Sequence, residues 1–230
     1  MSDPMNIGNM VGDLVLAVGA LGTASFALVD ATKIGRRGGI SNSGFGFVED
    51  CVRSLLPEQS AELLYMLHGH WINGSALADQ KAIAKSLLKL KLDIDTAAQF
   101  AEATNVDTAT LTEVAASMRD GSPLTDKQSN TLGRFDLYLT ARLDTAYQRA
   151  DQKYRNSAKF LASVIAVLLA LFGGWAVAAN YPEGGKNYFG SAQMFIAIFC
   201  GLLATPLAPI SKDLASALQA GVKVAQAIRK

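Results

Sequence analysis

Two histidines, His68 and His70, flank a single glycine, and Glu49, Asp50 and Cys51 lie upstream of them. These are metal-ligating residue types, and a site would need at least three of them to converge. The spacing argues against chelation by the pair. On a helix, residues two apart point about 200° away from each other, so both could face one ion only if the helix ended between them. Histidines near a helix C-terminus are otherwise favourable to its dipole. Ser, His and Asp also occur, yet no GxSxG elbow or comparable setting groups them. The expectation is a protein that is not an enzyme, with no catalytic residue, no metal and no cofactor.

Two further features carry possible chemistry. Gly35-Arg-Arg-Gly-Gly-Ile-Ser-Asn-Ser-Gly-Phe-Gly46 is a loop by composition. It lacks the GxxxxGK[ST] pattern of a phosphate cradle, and no strand precedes it. It reads as a flexible linker beside a membrane, with Arg36 and Arg37 meeting anionic lipid headgroups at about 1 kcal/mol each. Asp13 is the only charge between Met5 and Val29. If the apolar layer starts near Ile7, Asp13 is an intramembrane carboxylate, functional by default. If Leu14 to Val29 with the stem of Lys33 covers the core, Asp13 sits at the outer interface. Thr205 is a second possible intramembrane polar residue.

The elements that would position these residues are apolar helices. Phe160 to Ala179 runs through twenty residues without a charge, and at about 1.5 Å rise per residue that length matches the roughly 30 Å hydrocarbon core of a bilayer. Met5 to Val29 and Asn187 to Ser211 are similarly depleted. The overall charged fraction is 18%, against about 25% for soluble proteins. Asp30 to Lys159 holds sixteen basic and sixteen acidic residues. Its neutrality excludes a nucleic-acid partner recruited by a basic field. Cys51 and Cys200 fall in different regions, which excludes a disulfide framework and predicts two free buried thiols.

Orientation follows from basic residues at the span ends. Lys33, Arg36 and Arg37 follow the first span, Arg149, Lys153, Arg155 and Lys159 precede the second, and Lys212, Lys223, Arg229 and Lys230 follow the third. The connection Tyr181–Phe189 carries one Lys against one Glu. The N-terminus is therefore expected outside, and the large domain and C-terminus cytoplasmic. The setting is read as a prokaryotic inner (plasma) membrane. Asp3 precedes the first span and no Lys or Arg appears before Lys33, so a retained anchor is expected rather than a cleaved signal. Trp175, Tyr181, Tyr188 and Phe189 would form an aromatic belt around the outer tip.

From Val48 to Asn156 the pattern is helical. Val48, Cys51, Val52, Leu55 and Leu56 repeat at three and four. Pro57 is placed in the first turn of a helix that Asn73-Gly74 ends. Ser75 to Leu92 follows, with Lys81, Lys85 and Lys89 as a solvated or headgroup-facing stripe. Asp93 or Asp95 caps one helix, Asp107 another that closes at Asp120-Gly121, and Thr125-Asp-Lys-Gln128 is a capping box. An apolar stripe then runs from Leu132 through Phe135, Leu139, Leu143, Ala146/Tyr147, Ala150 and Tyr154 to Leu161. The prediction is one helix of about 55 residues, Asp126 to Asn180 and near 80 Å long. So long a stripe is expected to outrun the small bundle and to need a neighbouring subunit.

The fold expected is an all-α membrane protein. Its parts are an N-terminal transmembrane helix (1–33), a Gly-rich linker (34–46), a cytoplasmic helical domain (47–157) with its stalk from about 126, a transmembrane hairpin (158–210) and an amphipathic C-terminal helix (211–230). That last helix carries two readings, lying on the inner membrane surface or clasping subunits beneath the bundle. Pro206 and Pro209 should kink the third span.

Small residues mark the packing faces. Ala162, Ala166, Ala170, Gly174 and Ala178 recur at every fourth position of the second span. Gly8 and Gly12 with Gly19 serve the first, and Ala197 and Gly201 the third. Such stripes admit close helix approach. They predict a homo-oligomer in contact with membrane lipid, acting as a structural scaffold or organising platform. An oligomeric channel lined by residues such as Asp13, Thr23, Ser25 or Thr205, and an adaptor docking a soluble cytoplasmic protein, are the alternatives.

Overall fold

Local capping sets most helix boundaries. Asp93 starts a helix through a reciprocal capping box, its side chain accepting from the Ile94 N–H while Thr96 Oγ1 accepts from the Asp93 N–H at 2.9 Å. Asp107 accepts from the Thr110 N–H at 2.9 Å. Thr125 and Gln128 cap each other, Thr125 N–H to Gln128 Oε1 at 2.9 Å and Gln128 N–H to Thr125 Oγ1 at 3.3 Å. Gly74 and Gly121 end helices at φ +68° and +70°, where a Cβ would be strained.

The computed structural model describes residues 4–32, 36–182 and 184–209, without the side chains of residues 4–11, 36 and 37. Its elements are α1 (Pro4–Thr32), a 3-10 helix (Arg36–Ser43), α2 (Gly46–Leu55), α3 (Ser60–Ile72), α4 (Leu77–Leu90), α5 (Ile94–Thr104), α6 (Thr108–Asp120), α7 (Asp126–Ala178), α8 (Gly184–Asn187) and α9 (Ala192–Pro209). No strand occurs among the described residues. The chain forms two compact units: Arg36–Arg155, and the described residues before and after that stretch. The expected C-terminal amphipathic helix, 211–230, lies outside the described residues.

In the unit Arg36–Arg155, the apolar stripe of α7 is the spine of the core. Phe135, Leu139, Leu143, Tyr147 and Ala150 are buried together with Val52, Leu55, Leu67, Leu88 and Phe100 from four other helices. The Phe100 and Phe135 rings meet edge to face, 5.4 Å between centroids. This corrects the expectation that the stripe needs a neighbouring subunit: up to Ala150, the chain's own helices cover it.

The lysine stripe of α4 is also reassigned. Lys81 Nζ donates to Asp144 at 2.6 Å, and Lys85 and Lys89 donate to the two oxygens of Asp136 at 2.7 and 2.8 Å. Spacing of four gives α4 a cationic edge, and two carboxylates eight apart on α7 serve its three lysines, Asp144 taking Lys81 and Asp136 taking both Lys85 and Lys89. Sequence shows each stripe but not which helix faces which. Burial alone would raise the Asp136 pKa, but the hydrogen bonds and charges of Lys85 and Lys89 outweigh it and hold the carboxyl below the usual range. A depressed folded pKa contributes stability above the unfolded value of about 3.9 and loses it as pH falls through the folded one. We therefore expect Asp136→Asn to be less stable than wild type by a constant margin above about pH 5, with that margin shrinking below about pH 4. Urea melts across that range check this, and a margin independent of pH would refute it.

The Gly-rich segment, loop-like by composition, is a packed 3-10 helix. Trp71 Nε1–H donates to the Ser41 carbonyl at 2.6 Å, and Gly44 and Phe45 are buried. A Cβ on Gly44 would collide with the Ala150 carbonyl of α7 and approach Trp71 Cζ2 to 3.0 Å. Only a glycine lets the chain pass so close to another backbone. Gly44→Ala should cost roughly 1–3 kcal/mol by overpacking, read as a lowered melting temperature of the full chain by Trp71 fluorescence. Pro57 falls in the turn preceding α3 rather than in its first turn, since α3 begins at Ser60.

Candidate functional site

His68 holds the Gly-rich segment in place. The helix continues through His70 to Ile72, so the two rings diverge. His68 Nε2 meets Asn42 Oδ1 at 2.6 Å, and its ring packs edge-on against Phe45 at 4.8 Å. No group of three or more His, Cys, Asp or Glu converges among the described residues.

A groove of about 590 Å³ runs between α2 and α7 and includes Cys51, Ser54, Tyr138, Arg142 and Arg149. Arg142 spans it, donating to Ser54 Oγ at 2.8 Å and to the Ala103 carbonyl at 3.3 Å. Burial pushes the Cys51 thiol up, against a smaller lowering by the Arg142 charge and hydrogen bond. A thiol held protonated is a poor nucleophile. Burial likewise pushes the Tyr147 hydroxyl up, and that hydroxyl has no hydrogen-bond partner among the described residues. Asp50 also lines the groove. Cys51 and Cys200 are both free, but Cys200 is only half-buried, where full burial is expected from sequence.

The second unit is built on the small residues. Ala162 and Ala166 are fully buried, and Val18, Ala166 and Ala204 form its centre with Leu21, Cys200 and Leu207 around them. A Cβ on Gly22 would strike the Ala204 carbonyl. One on Gly201 would lie 2.6 Å from Val167 Cα. The interior seam thus joins α1, α7 and α9. Gly22 and Ala204, which do most to close it, are absent from the set picked by sequence; the Gly22/Phe26 register there is broken by a large residue.

Gly19 and Gly201 are buried, and Ala170, Gly174, Ala178 and Ala197 are half-buried. Gly174 is where the Tyr188 ring comes in: Tyr188 is buried with its hydroxyl against that glycine. Tyr188 therefore turns inward rather than joining the aromatic belt, while Tyr181 and Phe189 stay exposed. Gly12 faces open space. Gly8 lies on α1, and its surroundings, with the side chains of Arg36 and Arg37, are outside what is described. Asp13 is exposed, whereas Thr205 is buried and accepts from Ser163 Oγ at 3.1 Å. Gly22 is level with Ala204, so Asp13, nine residues earlier, sits about 13 Å along the helix from Thr205. The two do not form one polar site.

Opposite the small seam stands a large one. Phe160, Val164, Leu168 and Phe172 repeat at four on the outer face of α7, all exposed. Phe195, Ile196, Phe199, Leu202 and Leu203, at helical intervals of three and four, are likewise exposed on α9. These features define an all-helical protein with three helices long and apolar enough to cross a membrane: Gly12–Thr32, the apolar part of Asp126–Ala178, and Ala192–Pro209. No protein-family model, curated protein or solved structure matches this chain.

Proposed function

We propose that the chain is a multi-pass membrane protein whose three spans present the unit Arg36–Arg155 at the cytoplasmic face as a structural platform, without catalysis of its own. One observation carries this reading: the second unit is inside out. Its small residues lie inward and its large apolar ones outward, with only 28%, 11% and 17% of the three apolar windows covered. In water such a surface would aggregate; against acyl chains it is at rest. The basic residues at the span ends orient the platform inward. Hydroxyls within α1 bond to their own helix, Thr23 to the Gly19 carbonyl and Ser25 to that of Leu21. They offer no polar stripe for water, so a scaffold is favoured over a channel.

Self-association is part of this proposal. Ala162 and Ala166 are occupied within one chain, whereas the Gly12 face of α1 is open, and we assign the contact between copies to that face. Alkaline carbonate should leave the protein in the membrane pellet. Light scattering in mild detergent should give a protein mass that is a multiple of 24.3 kDa. Gly12→Ile should lower that mass. A wild-type monomer would sink the platform reading.

A further inference from the structure

We propose that the cleft between α1, α7 and α9 at the Lys159 end binds the phosphate of an anionic phospholipid headgroup. The cleft has a volume of about 710 Å³, and its walls include Thr23, Phe26, Lys159, Ser163, Thr205 and Pro206. That size is within the range of ligand sites, about 300–1,000 Å³. No acidic residue is among the described residues that line it.

Among the described residues, its polar groups are left incomplete. Ser163 and Thr205 share one hydrogen bond, so the pair has one hydroxyl proton left over. Neither hydroxyl bonds back to a carbonyl of its own helix among the described residues, as Thr23 does to Gly19. In an apolar layer that proton needs an acceptor. Lys159 is exposed and makes no ion pair among the described residues. It stands one residue before the charge-free run that starts at Phe160, the depth at which headgroups lie. A phosphate oxygen satisfies both the ammonium and the free hydroxyl proton. Pro206 and Pro209 have no N–H, so the carbonyls of Leu202 and Thr205 lose their usual helical donor. Those carbonyls would accept from headgroup hydroxyls. The ligand is a lipid rather than a free phosphate because Phe26, Pro206 and Pro209 continue the cleft as an apolar wall.

This assignment rests on the membrane reading above, and the test separates the two. The delipidated full chain in mild detergent is mixed with equal amounts of phosphatidylglycerol or phosphatidylcholine vesicle lipid, or with inorganic phosphate alone, and retained adducts are counted by native mass spectrometry. Phosphatidylglycerol should be retained about five- to tenfold better than phosphatidylcholine, and Lys159→Gln should remove that preference. Lys159→Arg should keep it, and Thr205→Val, which keeps shape and removes the hydroxyl, should weaken it even if Lys159→Gln folds poorly. Equal retention of the two lipids, or Thr205→Val and Lys159→Gln variants that retain lipid as wild type does, would overturn the site. So would displacement of the lipid by inorganic phosphate, which would make the ligand a free anion. Those results in a chain that still resists alkaline carbonate would leave the membrane reading standing; release into the supernatant would remove both.

Discussion

Phe135→Ala should destabilise the unit Arg36–Arg155 by about 3–5 kcal/mol. The side chain is fully buried, the first of the α7 stripe to be so, and meets Phe100 edge to face. Truncation removes its transfer free energy and leaves a cavity between helices that are held from several sides. Lys85 and Lys89 tie α4 to Asp136, and Arg142 ties α7 to α2 and α5. Those ties limit collapse into the void, which puts the cost at the upper end of the range. Against a total of about 5–15 kcal/mol for a domain, the loss is a large share. Leu137→Ala, two residues on and 72% exposed, should change stability by no more than about 0.5 kcal/mol. Denaturant melts of the full chain in detergent, read by Trp71 fluorescence, compare the two. Equal effects would mean that the α7 stripe is not the core of this unit.

That contrast marks what the sequence could show. The period of Phe135, Leu139, Leu143 and Tyr147 identifies a buried face, and Asp93, Asp107 and Thr125 identify where helices start, because caps are local chemistry. What covers the face is not local. The stripe reads as longer than a small bundle can bury, yet α2, α3, α4 and α5 all deliver side chains to it. The α4 lysines read as solvated because their partners, Asp136 and Asp144, are some fifty to sixty residues away. The Gly-rich segment reads as a linker because composition registers the freedom of glycine, whereas Gly44 is used for close approach to Ala150.

The second unit repeats the lesson with a sharper consequence. A small residue at every fourth position says that a backbone comes close, and nothing in that pattern says whose backbone it is. Ala166 and Gly201 face each other's helices within one chain, and the register that brings Gly22 onto Ala204 is a tertiary fact. The outer stripe Phe160, Val164, Leu168 and Phe172 was legible as apolar, but its exposure becomes visible only once the inner stripe has found its partners. The Ser163–Thr205 pair joins positions 42 apart, so no local pattern could have proposed it.

Ownership of that seam can be decided by one pair of substitutions. Gly201→Ala places a Cβ 2.6 Å from Val167 Cα and 2.9 Å from Val167 N. Ordinary carbon contacts lie near 3.5–4.0 Å, and neither of these atoms can swing aside as a side-chain tip would. The two helices must move apart by about 1 Å, which loosens the fully buried Ala166 and Ala204 beside them. The expected loss is about 1–3 kcal/mol. Gly173→Ala adds the same methyl to the same kind of helix with nothing within 4 Å of it, and should stay within about 0.5 kcal/mol of wild type. Both are read by thermal unfolding in one detergent, followed through Trp175 fluorescence, with the mass measured alongside. If the chain itself fills the seam, Gly201→Ala melts earlier while the mass of the folded species is unchanged. If instead the stripe serves a neighbouring subunit, Gly201→Ala lowers the mass and leaves the melting of the single chain near that of Gly173→Ala, and the close α7–α9 packing is wrong.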